Sequence, residues 1–526
     1  LVGSEMCIRD RYNIMTFLLM AMVSCSTMNG QSNSGSEALE PLTVSRICTT
    51  SGDDKPYLEV GGKPFAVYGA QIRLDIFRSV DKLDWPSIEE YFALASRLGV
   101  NCVQVPCPWA FIEPKRDSWD FDAVDKVLGF ANSHNLKVEL LWFSTNMIGD
   151  SYSWLVPTYI LATPSIRLRR DDDGSWHGLY GYAYSLQMNS DFVLEREKNA
   201  VTRLFTHIRE WDEANGNHHP VITCQVHNEP DALVRWRLAE KKISHKDGTR
   251  LTQKEAWDMT LKSLDVIGRA VKNSAYSVAT RTNIISGNGV NDFPQTPGIS
   301  PKDVYALEGI DFVSFDPYMS EVDKIAYEVS QYASMLGNYP LVAENRGDYS
   351  NTASLMLVAS ALGGGYDIYD LATSKYITSH SEPPFNSEGI YNSDFTPKPH
   401  VPLVQTLLSG LVAAGEDIAL TATDDFAVFN VRTDTPQTTL SQTISTTGAE
   451  LKFETSSGAL AFVLDRGDRL IAFSTADAVL NVGGGSLANR NDNAIALKGG
   501  QLTELGFKSS GTRQSTVKHN IGTIFK

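Results

Sequence analysis

Two short segments concentrate the reactive side chains of this sequence: Gln-Val-His-Asn-Glu-Pro at 225–230 and Pro-Leu-Val-Ala-Glu-Asn at 340–345. Each is an apolar, β-type run that ends in a polar cluster with one glutamate, Glu229 in the first and Glu344 in the second. Two carboxylates presented from the tips of two strands suit cleavage of a glycosidic bond. One must be protonated to donate to the leaving oxygen, and the other ionised to attack or stabilise an oxocarbenium-like centre. The stretch between them has room for about three βα units at roughly 30 residues each. Taken singly, either glutamate reads as a helix N-cap acid or a loop ion pair. The pattern on both sides of them favours a site.

That pattern is an alternation of strand and helix signals, which implies a parallel sheet with crossover helices. A hairpin around Gly61-Gly62 leads into strand one, 65–73, followed by 101–106, 137–143, 221–226, a weaker segment near 277–282, then 310–315, 340–343 and 366–371. The intervening helix patterns include one that starts near Pro86, places Ile88, Tyr91, Phe92, Ala95 and Leu98 on one face and stops at Gly99. Eight strands in this order predict an α/β fold, a (β/α)8 TIM barrel over 57–414. From 415 to 526 the texture changes to alternating apolar and polar runs with turn residues, which predicts a C-terminal antiparallel β-sandwich-like domain. Arg466-Gly467-Asp468 reads there as a hairpin turn. A long insertion, roughly 145–192, is rich in aromatic residues including Trp154, Tyr159 and Trp176, and loops of that length are usually functional.

The 526 residues are 42% hydrophobic and 10% aromatic, enough for one large barrel with a smaller domain. Nine Trp and twenty Tyr exceed obvious packing needs and suit stacking on sugars. A net charge of −16 argues against nucleic acid as a partner and fits a neutral substrate. Cys102, Cys107 and Cys224 lie in apolar strand runs as small hydrophobes. With no Cys-x-x-Cys or His/Cys cluster in the sequence, no metal, cofactor or disulfide framework is expected.

Residues 15–24 form a ten-residue apolar run behind Arg9 and Arg11. It is too short to span a bilayer and has the shape of a secretory h-region. Val23-Ser24-Cys25 is similar to a bacterial lipobox, which predicts a leader and lipoprotein-type signal over 1–25, lipidation of Cys25, a linker over 26–56 and a periplasmic or outer-membrane lipoprotein of the bacterial cell envelope. The membrane would then be a partner only through that anchor. A buried N-terminal helix is the alternative for this run. Residues 1–14 fit neither role and look like a translated vector or assembly remnant, with Met15 the candidate start.

With these elements in place, the chain resembles the clan A glycoside hydrolases, which include β-galactosidases, β-mannosidases and many endo-glycanases. Asn228-Glu229 after strand four and Glu344 after strand seven match the clan's acid/base and nucleophile by residue type and strand ordinal. Pro108–Phe121 and Gly61–Arg73 are similar to the β-galactosidase branches specifically. Departures are Pro230 after the acid/base, and Tyr366 and Tyr369 on strand eight where many members carry Trp.

The resemblance implies that Glu229 is the general acid/base, with a raised pKa, and Glu344 the ionised nucleophile held by donors such as Tyr318. Asn228 is placed to donate to a substrate hydroxyl, and Tyr369 joins the substrate-binding set. Arg73 either orients Glu344 or forms a structural ion pair. Trp109 and Glu113 divide between barrel packing and sugar contact, Asn146 and Trp154 are candidates to line the pocket, and His227 faces away from Asn228, behind the site. The implied activity is that of a retaining exo-β-glycosidase, β-galactosidase-like, acting on an oligosaccharide or polysaccharide. An endo-β-glycanase and an inactive glycan-binding lipoprotein are the alternatives.

Overall fold

The structure, a computed structural model, describes residues 40–50, 55–145, 155–170, 184–234, 243–285, 300–380, 386–431 and 436–511. Eight strands close a parallel barrel: β1 (Tyr68–Gln71), β2 (Cys102–Pro108), β3 (Lys137–Phe143), β4 (Val221–Val226), β5 (Ala279–Ile285), β6 (Phe312–Asp316), β7 (Val342–Arg346) and β8 (Tyr366–Tyr369). β8 returns to β1 through the register Tyr366 to Tyr68 and Ile368 to Ala70. Because helices cover the outside and side chains fill the inside, the strands are buried on both faces, which is why they read as unbroken apolar runs.

Local signals place the helices. Asp84 caps the helix Trp85–Leu98 through its bond from Ser87 N, Pro86 occupies the first turn, and Gly99 ends it at φ 95°. Thr252 and Glu255 form a reciprocal capping box on the helix Gln253–Lys272. The helix Thr352–Ala361 is buried all round, since strand Phe426–Phe429 of the C-terminal sheet lies against it in addition to the barrel and its neighbouring helices.

Within the expected linker and N-terminal lead-in over 26–56, the described residues form short strands. Leu42–Thr43 pairs with Tyr276–Ser277, and Ser45–Thr49 pairs with Pro56–Val60. The Ser45 hydroxyl donates to Ile222 O at 2.5 Å and accepts from Ala279 N at 2.9 Å, so this segment seals the N-terminal ends of β4 and β5. Its short, mixed composition hides a role that only its barrel partners create.

Beyond the barrel, a five-stranded and a four-stranded antiparallel sheet enclose a core that includes Phe429, Leu451, Phe453, Val463, Leu480 and Phe507. The Arg466–Asp468 segment is a tight turn with Gly467 at φ 93°. In the long insertion Arg167–Arg170 pairs with Tyr184–Leu186, and Ile243–Ser244, from the segment after β4, completes a three-stranded sheet. No helix among the described residues is long and apolar enough to cross a membrane.

Candidate active site

Polar side chains occupy the barrel interior in levels. Deepest is a buried charged cluster: Glu139 accepts from Thr223 Oγ1 at 3.0 Å and lies 3.4 Å from Arg281 Nε, while Asp367 accepts from Gln104 Nε2 at 2.7 Å. Arg281 also donates to Gln225 at 2.5 Å and Ser314 at 3.0 Å. Gly69 is required here, because a Cβ at that position would sit 2.0 Å from Asp367 Oδ1.

Above this level, at the C-terminal ends of the strands, three acids converge. One carboxyl oxygen from each of Glu229, Asp316 and Glu344 lies within 4.8 Å of the other two. Glu344 is in the middle of β7, and its carboxylate accepts from the Tyr318 hydroxyl and from Gln71 Nε2 at 3.0 Å. Burial raises its pKa, while the Tyr318 and Gln71 donors and the charges of Arg73 and Arg281 pull it down. Burial and the Glu344 charge push the Tyr318 phenol up, which keeps it a donor. Asp316, the last residue of β6, is driven well above the usual carboxylate range by burial and then by Glu344 and Glu229, against the pull of Arg281 and Asn283. Its Oδ1 is buried without a hydrogen-bond partner.

Glu229 follows β4 by three residues, at φ 45°. His227 and Tyr318 share the left-handed region, at 62° and 47°. Such conformations cost a non-glycine residue roughly 1–2 kcal/mol and cluster where function demands them. His227 is fully buried, bonded to Ser144 at 3.0 Å and Ser263 at 2.9 Å, and burial lowers its pKa. It packs behind the site. Asn228 Oδ1 accepts from Gln225 and Asn283, both at 3.0 Å, which fixes the orientation of its amide beside Glu229.

The remaining candidates separate. Arg73 forms a two-pronged ion pair with Asp75 and donates to the Tyr369 hydroxyl at 3.0 Å, and its charge lowers the pKa of Glu344. The Tyr369 ring meets Tyr318 edge-on at 5.8 Å, bracing the donor of Glu344. Trp109 and Glu113 are both fully buried and bonded to each other at 3.0 Å. Glu113 also accepts from Tyr159, Asp117 N and Arg196, so it ties the loop after β2 to the long insertion. A carboxylate surrounded by donors is cheapest when buried. Asn146, Trp154 and Cys25 lie outside the described residues.

Sequence reading missed Gln71, Asn283 and Asp316. The expected strands five and six stop at 282 and 315, one residue short of Asn283 and Asp316. A polar residue ending an apolar barrel strand was the available signal. The triad of acids, and Cys102 with Glu139 and Asp367 below, are spaced closely enough to share a cation. Protein donors engage both oxygens of Glu344, Oδ2 of Asp316 and of Asp367, and Oε2 of Glu139.

Residues 80–243 match a family model described as "Beta-galactosidase", and residues 259–436 match one described as "Domain of unknown function (DUF4978)". The first span includes Glu229 and the second Glu344, so the two models divide the candidate pair between them. No curated protein matches the chain. Among solved structures, the β-galactosidase of the haloarchaeon Halorubrum lacusprofundi is similar at 14% identity and TM-score 0.46, covering 65% of this chain and 58% of that one. The β-galactosidase of Bacillus circulans sp. alkalophilus is similar at 14% identity and TM-score 0.49, covering 68% and 57%. An exo-β-1,4-mannosidase from Opitutaceae bacterium strain TAV5 is similar at 13% and 0.47, covering 71% and 63%. The chain thus spans less than two thirds of each of these proteins. The fold rests on the closed barrel itself, and the barrel carries a glycoside hydrolase family match.

Proposed function

We propose that this protein is a retaining exo-β-glycosidase of β-galactosidase-like specificity, with Glu344 as nucleophile and Glu229 as acid/base. The observation that carries the reading is the gap between their carboxyl oxygens, within 4.8 Å. Retaining pairs stand about 5–5.5 Å apart, whereas inverting pairs need about 6.5–9.5 Å to admit a water. Two donors on Glu344, Tyr318 and Gln71, support its role, since they favour its ionised form against the upward push of burial. The family match over 80–243 supports the β-galactoside class.

In the first step Glu344 attacks the anomeric carbon as the glycosidic bond breaks, and Glu229 gives its proton to the departing oxygen. The product is a glycosyl ester on Glu344. In the second step Glu229, now ionised, takes a proton from water as that water attacks the same carbon, and Glu344 leaves as carboxylate. Two inversions retain the anomeric configuration. Asp316, close to both acids, is itself pushed toward its neutral form by burial and by their charges, so it adds little negative charge beside them.

Two variants test the roles. Glu229→Ala should retain turnover of dinitrophenyl β-galactoside, and azide should accelerate it with formation of the β-glycosyl azide. Glu344→Ala should lose turnover on all substrates, and azide should give the α-azide. The same anomer from both variants refutes the assignment, and a wild-type protein inactive on a broad aryl glycoside panel refutes the enzyme. For the leader, residues 15–25 support a lipoprotein of the cell envelope.

A further inference from the structure

The turn that carries Glu229 is costly in isolation. His227 and Glu229, two residues apart, are both left-handed, and the chain leaves β4 immediately before them. A Glu in this conformation persists only where surroundings over-determine it. One side of that restraint is His227, pinned between Ser144 and Ser263. The other side is β5. Asn283 Oδ1 accepts from Glu229 N at 3.0 Å, and Asn283 Nδ2 donates to Asn228 Oδ1 at 3.0 Å and to Asp316 Oδ2 at 2.6 Å. Two residues on, Ile285 N donates to Asp231 Oδ1 at 3.2 Å.

Asn283 is fully buried, and its oxygen and amide group make three hydrogen bonds to two elements: two to the turn after β4 and one to β6. Alternation along β5 puts Arg281 and Asn283 on the same inward face. Arg281 joins the charged cluster below, and Asn283 reaches the level of the acids. No aliphatic side chain would supply an acceptor for Glu229 N and donors for two oxygens together. Asp would lose the donors when ionised, and would face the oxygens of Asn228 and Asp316.

We propose that Asn283 is a positioning residue for catalysis, a three-point clamp from β5 that holds the left-handed turn and thereby aims the Glu229 carboxyl at the leaving group, with Asp316 as its anchor. The inference rests on the assignment of Glu229 as acid/base. It gives a signature that general destabilisation lacks, because only protonation of the leaving group and activation of water pass through Glu229. A displacement of about 1 Å costs a reacting group on the order of 100-fold.

The test is the leaving-group dependence of Asn283→Ala and Asn283→Ser, the second leaving a smaller void. With phenyl β-galactoside, whose leaving group needs a proton, kcat/KM should fall about 100-fold. With dinitrophenyl β-galactoside, which needs none, kcat/KM should stay within about threefold of wild type. Its kcat should fall and be restored by azide, and a 2-deoxy-2-fluoro dinitrophenyl glycoside should still label Glu344. Equal losses on the two substrates overturn the inference, as does loss of Glu344 labelling in both variants, which would make Asn283 a packing residue. Wild-type protein that cleaves neither substrate overturns instead the glycosidase reading on which it stands.

Discussion

Replacing Tyr318 by Phe isolates one contact to the nucleophile. The ring and its edge-on contact with Tyr369 remain, while the hydroxyl that donates to Glu344 Oε2 is lost. A hydrogen bond to a charged group is worth about 1.5–3 kcal/mol net. One pKa unit corresponds to about 1.36 kcal/mol, so removal should raise the Glu344 pKa by about one to two units. The lower end is expected, since Gln71 still donates to Oε1 at 3.0 Å and the charges of Arg73 and Arg281 still pull the carboxyl down. The sign follows directly: losing a donor to the carboxylate favours the protonated acid, which is a poor nucleophile. The acid limb of kcat/KM against pH, read with an activated aryl glycoside, should therefore move about one unit toward higher pH, while the alkaline limb holds. An acid limb that stays in place, or moves toward lower pH, refutes the claim that Tyr318 stabilises an ionised Glu344.

Three more outcomes are expected. Burial and Asp370 raise Glu388 to about 8 although Arg346 lies 3.6 Å away, since Arg346 is already bound by two prongs to Asp348. A raised acid binds its proton more tightly when folded, so stability falls as pH climbs from its ordinary range toward 8. Glu388→Gln should flatten the melting temperature between about pH 5 and 8, and an unchanged slope counts against this. Arg281→Met leaves Glu139 and Asp367 without their buried cation and should cost about 3–5 kcal/mol in denaturant unfolding. A loss below about 1 kcal/mol would mean that the two acids already share a proton. Cys25→Ser should abolish lipid labelling and release the protein from bacterial membrane fractions, and unchanged fractionation rejects the lipobox.

How much of the site was legible follows from where each residue sits. Glu229 and Glu344 stand out because each is a lone carboxylate closing an apolar strand signal, and their strand ordinals could be counted. Tyr318 followed from the family resemblance, as the tyrosine just after strand six. Asn283 and Asp316 escaped because strand edges are the least certain part of a periodic pattern, and each lies one residue past the expected edge. Gln71 sat inside the expected first strand, but nothing local distinguishes an inward glutamine from an outward one. Glu113 was ambiguous for the opposite reason: its motif is conspicuous in sequence, yet the donors it accepts from, Trp109, Tyr159, Asp117 and Arg196, are spread over a long stretch of chain.

The sequence by itself determined the eight-strand order, helix limits such as Pro86 and Gly99, and Glu229 and Glu344 as the candidate pair, because hydrophobic periodicity and turn residues act over a few neighbours. Only the tertiary structure decided the rest. Barrel closure brings β1, β5, β6 and β7 together around one space, and that convergence creates the approach of the acids to within 4.8 Å, the donors on Glu344 and the raised pKa of Asp316. It also surrounds Arg73 and Glu113 with the partners they hold. Desolvation and charge pairing depend on which groups are excluded from water together, and that is a property of the closed barrel, shared among strands that are distant along the chain.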